Sequence, residues 1–233
     1  MHVHSGGKPN LVPVLPPWTI GFKGFTNNSG TAGSPIITQL INKTEIREKV
    51  RQSRRALSAS QRRMAAKNLL RNLRQFPHFQ YSQHIAIYLT NDGEIDTSVL
   101  IQDLNRRGKT LYLPVLQPCK KGYLNFVRWH SYSRMTKNRF NIAEPVLETK
   151  DVISPTFLQL ICMPLVAFDA QGNRLGMGGG FYDRSLAHMA SAGNKPALLG
   201  LAYELQRVDH LPVEPWDIAL DAIATDKQLY LFS

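Results

Sequence analysis

The pattern of hydrophobic and polar positions changes sharply near residue 43. Residues 1–42 contain no Asp or Glu, six Gly and five Pro, and they show no helical or strand period. From residue 43 onwards, short apolar runs typical of strands alternate with the spaced apolar positions typical of helices. We therefore predict a disordered extension over residues 1–42 and a single α/β domain over residues 43–233.

The regular part of the chain begins with two basic helices. The first is predicted over residues 43–56, and the second begins at the capping box of Ser58 and Gln61 and stops before Pro77. Thr97 is predicted to cap a third helix that ends at Gly108, and a fourth helix is predicted over about residues 181–192. The predicted apolar face of the second helix comprises Met64, Ala65, Leu69, Leu70 and Leu73.

Six apolar runs predict strands, over residues 84–90, 110–115, 124–129, 158–166, 197–201 and 222–225. Strands that alternate with helices are typical of a mostly parallel sheet with helices on both faces. Because ligands bind at the carboxyl ends of such strands, the loops 91–96, 172–183 and 212–221 are the candidate site.

Charge and composition leave several functions open. The net charge is +11, and residues 43–74 hold eleven Lys or Arg against two acids. This basic segment is consistent with three roles: binding RNA, binding a polyanionic small molecule such as a nucleotide, or forming a solvated helix face without a ligand. The chain has no apolar run long enough for a membrane helix, no secretory signal pattern, and two isolated cysteines. These features predict a cytoplasmic protein with free thiols.

The segment with the clearest chemistry follows the most apolar strand. Four of the five residues 176–180 are glycines, and a helix is predicted to follow them. Bare backbone N–H groups at such a place hold phosphate, and Arg174 adds a cation. The segment is neither a GxGxxG motif, because Phe181 stands where the last glycine belongs, nor a Walker A motif. Asp183, in the first turn of the helix, is a candidate magnesium ligand.

Two further loops carry acidic residues. Glu94 follows the first strand, where a lone glutamate is more often an exposed loop residue than a ligand. In the loop 211–221, Asp217 and Asp221 are spaced like two carboxylates of one polar cluster, and Trp216 is predicted to lie in the core. The sequence contains no zinc-ligand spacing and no nucleophile motif of the GxSxG type.

Four segments in this order resemble the 5-formyltetrahydrofolate cyclo-ligase family. They are Lys43-Thr-Glu-Ile-Arg47, the Gly93-Glu94 loop, Arg174-Leu-Gly-Met-Gly-Gly-Gly-Phe-Tyr-Asp183, and the Leu211-Pro-Val and Asp-Ile-Ala-Leu-Asp221 pieces of the last loop. The third segment is highly specific, and the likeness is greatest to the enterobacterial branch. The resemblance covers the chain from about residue 43 to the C-terminus.

The resemblance implies a fold and a reaction. The fold is a single-domain, three-layer α/β sandwich of the ribose-phosphate isomerase and CoA-transferase type. The reaction converts 5-formyltetrahydrofolate to 5,10-methenyltetrahydrofolate with ATP and Mg²⁺, and releases ADP and phosphate. The formyl oxygen is phosphorylated, N10 closes the ring, and positioning and charge neutralisation replace a nucleophilic side chain. The partners implied are these small molecules, with no nucleic acid or membrane, and the enzyme is expected to be a monomer.

The resemblance also implies site residues, carried over position by position. Arg174 and Tyr182 are the candidate catalytic residues, and Asp183 and Asp221 the candidate magnesium ligands. The positions implied for the folate are Leu89, Glu94, Met177, Gly178, Gly179, Gly180 and Phe181. The positions implied for ATP are Lys43, Arg47, Arg174, Leu175, Gly176, Met177, Gly178, Gly179, Gly180, Phe181 and Tyr182.

This chain departs from the family at two of those positions. Gly179 stands where many members have Lys, and Phe181 stands where Tyr is frequent. The missing cation predicts that Arg174 or Arg184 neutralises the transferred phosphate instead. Two rival functions remain at this point: a sugar-phosphate isomerase or CoA-transferase-like enzyme on the same fold, and an RNA-associated module built on the two basic helices.

Overall fold

The computed structural model describes residues 42–191 and 195–232. The predicted extension over residues 1–42 therefore lies, except for residue 42, outside the described residues and stays a prediction. Within these ranges, five α-helices span Lys43–Arg55 (α1), Ala59–Leu73 (α2), Pro77–Tyr81 (α3), Ser98–Arg106 (α4) and Phe181–Leu186 (α5). No helix in the described part of the chain is long and apolar enough to cross a membrane.

In the described part of the chain, eight strands form the main sheet, and two short hairpins lie outside it. The sheet strands are His84–Ala86 (β1), Thr110–Leu116 (β2), Leu124–Trp129 (β3), Val152–Ile153 (β6), Leu160–Pro164 (β7), Ala197–Leu201 (β10), Ala222–Ala224 (β11) and Leu229–Leu231 (β12). The hairpin strands are Met135–Lys137 (β4) with Ala143–Pro145 (β5), and Ala167–Phe168 (β8) with Arg174–Leu175 (β9).

The sheet has the order β12-β11-β10-β7-β1-β2-β3-β6. The five central strands from β11 to β2 run parallel, and the outer strands β12, β3 and β6 join antiparallel. This confirms the predicted, mostly parallel α/β sheet. The predicted strand over residues 84–90 is shorter than expected, because the chain leaves the ladder after Ala86 to form the floor of a cleft.

Residues on the central strands alternate between two cores, as the pleat requires. Ile85, Leu111 and Cys162 pack with helices α2, α3 and α4 on one face. Ala86 and Met163 pack with Leu186 of α5 on the other face. The sheet is therefore the middle of three layers, and the predicted three-layer sandwich is confirmed.

Three local predictions for the helices are wrong. Met64, placed on the apolar face of α2, is 60% exposed, while Ala66 is buried. Thr97 occupies the N-cap position of α4 as predicted, but its side chain does not cap the helix, because its hydroxyl donates to the Tyr88 carbonyl oxygen; the Asp96 carboxylate accepts from the Ser98 N–H instead. The helix predicted over residues 181–192 ends its α-helical part at Leu186, and a 3-10 helix follows it.

Candidate active site

A cleft of about 630 Å³ opens at the carboxyl ends of strands β1, β2 and β7. Tyr88 and Leu89, which follow β1, and Leu165, which follows β7, lie at its floor. The glycine loop, residues 176–180, and the β4–β5 hairpin line further sides. This is the position at which an open parallel sheet binds its ligand.

Most of the site residues predicted from the sequence line this cleft. They are Leu89, Glu94, Arg174, Gly176, Met177, Gly179, Gly180, Phe181, Tyr182 and Asp183. Leu175 belongs to the buried core beneath the loop, where it packs with Val50 of α1. It therefore holds the loop in place from below.

The glycine loop has a backbone that only glycine adopts easily. Gly178 has φ +91° and Gly180 has φ +58°. The Arg47 side chain donates through Nε to the Gly176 carbonyl oxygen at 2.9 Å. On the other side, Arg184 donates to the Gly179 carbonyl oxygen and, at 3.0 Å, to that of Gly122. Two arginines from different elements therefore lie against the loop.

The last loop of the candidate site lies at the amino end of α1. The Lys43 ammonium is 3.4 Å from a Glu214 carboxylate oxygen and 3.7 Å from an Asp217 oxygen. Trp216, between these two acids, is 69% exposed, so the prediction that it lies in the core is wrong. Lys43 and the two acids form a charged group beside the glycine loop.

Arg174 and Asp183 form a short ion pair at the cleft wall. Arg174 Nη2 lies 2.5 Å from Asp183 Oδ1, and the arginine side chain is only 5% exposed. The same carboxylate oxygen accepts from the Ile218 N–H at 3.3 Å. Asp183 therefore joins the start of α5 to the segment that carries Asp217.

The structure separates Asp221 from Asp183. Asp221 exchanges two hydrogen bonds with Leu198: its Oδ2 accepts from the Leu198 N–H at 2.7 Å, and its own N–H donates to the Leu198 carbonyl. Leu198 is near the amino end of β10, whereas the cleft is at the carboxyl ends of the parallel strands. The geometry therefore does not bring the two predicted magnesium ligands together; the contact of Asp183 with this loop is to the backbone N–H of Ile218, the residue after Asp217.

Glu94 has the most unusual environment among the acids of the cleft. Burial raises the pKa of its carboxyl from 4.5 to about 7, against the opposing effects of the Asn91 N–H and the Arg54 charge. Its Oε2 accepts from the Asn91 N–H at 3.0 Å. Such a carboxyl changes protonation near neutral pH and can act as either donor or acceptor.

The model of the 5-formyltetrahydrofolate cyclo-ligase family matches residues 40–226 of the chain. The chain belongs to the 5-formyltetrahydrofolate cyclo-ligase family. This confirms the resemblance inferred from the four sequence segments, and it decides against the isomerase and RNA-associated alternatives. The basic helices agree with that outcome, because several of their arginines are bonded to carboxylates or carbonyls of the domain itself.

Bacterial members of the cyclo-ligase family are similar over most of the chain. The 5-formyltetrahydrofolate cyclo-ligase of Escherichia coli is 41% identical over 181 residues, which are 78% of this chain and 98% of that protein. The Haemophilus influenzae protein of the same name is 42% identical over 176 residues, covering 76% of this chain and 93% of its own. The enterobacterial likeness predicted from the sequence is thus confirmed.

A solved structure agrees with the fold. The 5,10-methenyltetrahydrofolate synthetase of Aquifex aeolicus superposes with a TM-score of 0.69 and 33% identity, covering 81% of this chain and 92% of that chain. The three-layer architecture is therefore that of the cyclo-ligase family.

Two aromatic residues of the cyclo-ligase cleft were not predicted from the sequence. Phe140, on the β4–β5 hairpin, meets Phe181 edge to face with ring centroids 5.8 Å apart. The Tyr88 hydroxyl is buried at the cleft floor and has no partner among the described residues. Neither belongs to a recognisable motif, so only the folded chain identifies them.

The buried Glu94 carboxyl predicts a measurable pH dependence of stability. A pKa raised from 4.5 to about 7 means that folding favours the protonated form. The stability that this provides is complete below about pH 4.5 and is lost as the pH rises through about 7. The Tm of the wild type is therefore expected to fall relative to that of Glu94→Gln between about pH 5 and pH 8. Thermal denaturation of both proteins checks this, and a constant difference in Tm would contradict it.

Proposed function

We propose that the cleft binds 5-formyltetrahydrofolate and ATP together and is the place where ring closure occurs. As a cyclo-ligase, the enzyme converts 5-formyltetrahydrofolate to 5,10-methenyltetrahydrofolate with ATP, and releases ADP and phosphate. The observation that carries the site assignment is one cleft lined on one side by Leu89 and Glu94 and on another by the glycine loop. A phosphoryl group and a folate can therefore meet within a single enclosed volume.

The pterin side of the folate is assigned to the floor of the cleft. Leu89 offers apolar surface, and the Glu94 carboxyl offers a hydrogen-bonding group for ring nitrogens. Phe181 and Phe140 provide aromatic edges for a flat ring system. The Tyr88 hydroxyl needs a partner, because a buried polar group without one is costly, and a bound substrate or water can supply it.

The triphosphate is assigned to the glycine loop and the cations around it. Because α5 has only six residues, we attribute binding to loop N–H groups and side-chain cations rather than to the helix dipole. Lys43 and Arg47 approach from α1, and Arg184 lies at Gly179. We therefore assign to Arg184 the charge that the absent Lys at position 179 would supply. Arg174 remains a candidate catalytic residue through its place at the cleft wall.

The formyl carbonyl carbon is a poor electrophile, and its oxygen is a poor leaving group. Phosphorylation of that oxygen corrects both. The formyl oxygen attacks the γ-phosphorus, and the bond from that phosphorus to the ADP oxygen breaks. N10 then attacks the formyl carbon, loses its proton, and phosphate leaves with the former formyl oxygen. The protein contributes orientation and cations that neutralise the transferred phosphoryl group. Tyr182, whose hydroxyl pKa is raised by burial, stays neutral and can serve as a hydrogen-bond donor beside the loop.

Magnesium is proposed to bind at Asp183 and Asp217. The described residues contain no group of three or more His, Cys, Asp or Glu able to hold a metal. Two carboxylates nevertheless suffice, because Mg²⁺ keeps several waters and shares its remaining ligands with phosphate oxygens. When bound, the ion would neutralise charge on the β- and γ-phosphates. Asp183 has one oxygen committed to Arg174 and Ile218, and Asp217 replaces Asp221 as the second ligand.

Two further properties stay proposals drawn from the sequence. We place the enzyme in the cytoplasm, where folates and ATP are both present, and we expect a monomer. Size-exclusion chromatography with light scattering checks whether the enzyme is a monomer.

The activity itself is tested by the absorbance of the methenyl product. Purified protein with 5-formyltetrahydrofolate is expected to form product with ATP and Mg²⁺, and to form none when ATP is omitted. ADP is expected to appear in a 1:1 ratio with product, as the proposed chemistry requires. Folded protein that forms no ATP-dependent product would rule out the proposed function.

A further inference from the structure

Three arginines from α1 contact one carboxylate in the loop that follows β1. Arg51 Nε lies 2.7 Å from Asp92 Oδ2, and Arg54 Nη2 lies 3.3 Å from the same oxygen. Arg55 Nε donates to Asp92 Oδ1 at 2.8 Å. We call these four residues the Asp92 cluster. None of the four was singled out as a site residue from the sequence, although Asp92 lies in the candidate loop 91–96 and the arginines lie in the basic segment 43–74.

The cluster includes a fully buried charge. The Arg54 side chain is 1% exposed, and it donates to the backbone oxygens of Asp92 at 2.8 Å and Leu165 at 3.3 Å. Burying an ion pair adds little net stability compared with apolar residues of the same volume. Anchoring α1 alone would not require it, because Val50 already packs that helix against the core. The cluster therefore fits a role in fixing geometry.

The loop that the cluster contacts has a backbone conformation that needs support. Asp92 has φ +48° and Gly93 has φ +73°, so two successive residues are left-handed. This conformation is uncommon for a residue other than glycine and persists where the surroundings impose it. Immediately after the turn, Glu94 bonds back to Asn91 through both its backbone N–H and its side chain. The turn therefore decides where the Glu94 carboxyl lies in the cleft.

Helix α1 joins this loop to the glycine loop. Arg47, Arg51 and Arg54 follow the spacing i, i+4, i+7, which places them on one face of the helix. At one end of that face Arg47 donates to Gly176, and at the other end Arg54 donates to Asp92. A single rigid element thus contacts both sides of the cleft.

We propose that Asp92 is a positioning residue for folate recognition. By fixing the turn at residues 92–93 to helix α1, the Asp92 cluster holds Glu94 at the folate side of the cleft and in register with the glycine loop. The proposal rests on the proposed function, since it assigns Glu94 to the folate. It adds residues that determine substrate affinity through the position of Glu94.

The test is the kinetic behaviour of Asp92→Asn. Asparagine tolerates the left-handed backbone and keeps the size of the side chain, so the substitution removes mainly the charge. Because Glu94 is then held less firmly, the KM for 5-formyltetrahydrofolate is expected to rise by about 10- to 100-fold. The KM for ATP is expected to stay within about twofold of the wild type, because α1 and the glycine loop keep their packing through Val50 and Leu175.

The chain contains a matched control for this substitution. Asp103 on α4 is also buried and also contacts three arginines, and it does not line the cleft. Asp103→Asn is expected to lower Tm while leaving both KM values unchanged. A milder pair is Arg55→Gln and Arg74→Gln, since these two arginines are 57% and 58% exposed and each contacts one of the two aspartates. If Asp92→Asn does not fold, this pair provides the same comparison.

The outcomes separate the two proposals. A wild type without ATP-dependent product contradicts the proposed function, whatever the variants do. With an active wild type, a selective rise in the folate KM for Asp92→Asn or Arg55→Gln supports the positioning role. An unchanged folate KM, or an equal rise in both KM values, overturns the positioning role. The Asp92 cluster would then act only as a stabilising contact.

Discussion

The Asp183→Asn variant is expected to turn over substrate about 100-fold or more slowly than the wild type, because charge neutralisation is a large part of phosphoryl transfer. Asparagine keeps an acceptor for the Ile218 N–H but removes the negative charge that pairs with Arg174. It also removes one of the two proposed magnesium ligands. Turnover measured across a magnesium titration checks this, and Asp217→Asn is expected to require more magnesium for half-maximal rate.

Asp221→Asn is the matched control for that experiment. Asp221 lies at the amino end of β10, where its side chain accepts from the Leu198 N–H, and asparagine can accept the same bond. Its turnover and magnesium requirement are therefore expected to match those of the wild type. If Asp183→Asn reached wild-type turnover at the wild-type magnesium concentration, Asp183 would not be a ligand. A large loss in Asp221→Asn alone would contradict the placement of the metal at the cleft.

Gly178→Ala is expected to lower kcat/KM for ATP by about 100-fold, because small displacements in a positioned site have effects of that size. Gly178 has φ +91°, a conformation that alanine adopts only with strain. An added Cβ would also lie 3.4 Å from the Arg47 guanidinium. The loop and the arginine must both adjust, so the phosphate-binding N–H groups move. Steady-state kinetics with ATP varied at saturating folate measures the effect.

Gly108→Ala separates this local effect from a general loss of stability. Gly108, just after α4, has φ +68°, and a Cβ there would meet no atom within 4 Å. The substitution is expected to destabilise the protein by about 1 kcal/mol through backbone strain alone. Its kinetic constants are expected to be those of the wild type. Similar kinetic losses in both variants would show that Gly178 acts only through stability.

Six of the eight strands found in the main sheet were accessible from the sequence because their signals are local, whereas the short edge strands β6 and β12 were not predicted. Runs such as Ala197–Leu201 and Leu124–Trp129 were predicted with their observed bounds, since apolar composition and strand spacing coincide there. The failures have tertiary causes. Met64 is exposed because no element of the described residues covers that side of α2. The strand after His84 is short because the chain must leave the ladder to reach the cleft.

The candidate site also has features that were visible in the sequence and features that required the tertiary structure. The glycine loop and Asp183 lie within ten consecutive residues, so their proximity was visible in the sequence. Asp217 and Asp221 are also close in sequence, but four residues of extended chain cover about 13 Å. The segment between them leads from Asp183, which accepts from Ile218, to the amino end of β10. A spacing of four therefore could not show which of the two aspartates lies in the part of the loop that contacts Asp183.

The sequence by itself determined the family, the alternating α/β pattern and the glycine-rich character of residues 174–183, because each of these depends on neighbours along the chain. The tertiary structure alone decided that the Asp183 carboxylate accepts from the Ile218 N–H, whereas Asp221 bonds to Leu198 at the amino end of β10. It also decided that Asp92 receives three arginines and that Glu94 is buried enough to raise its pKa to about 7. These properties depend on burial and on contacts between elements far apart in sequence. The spacing of residues along the chain determines neither the burial nor those contacts.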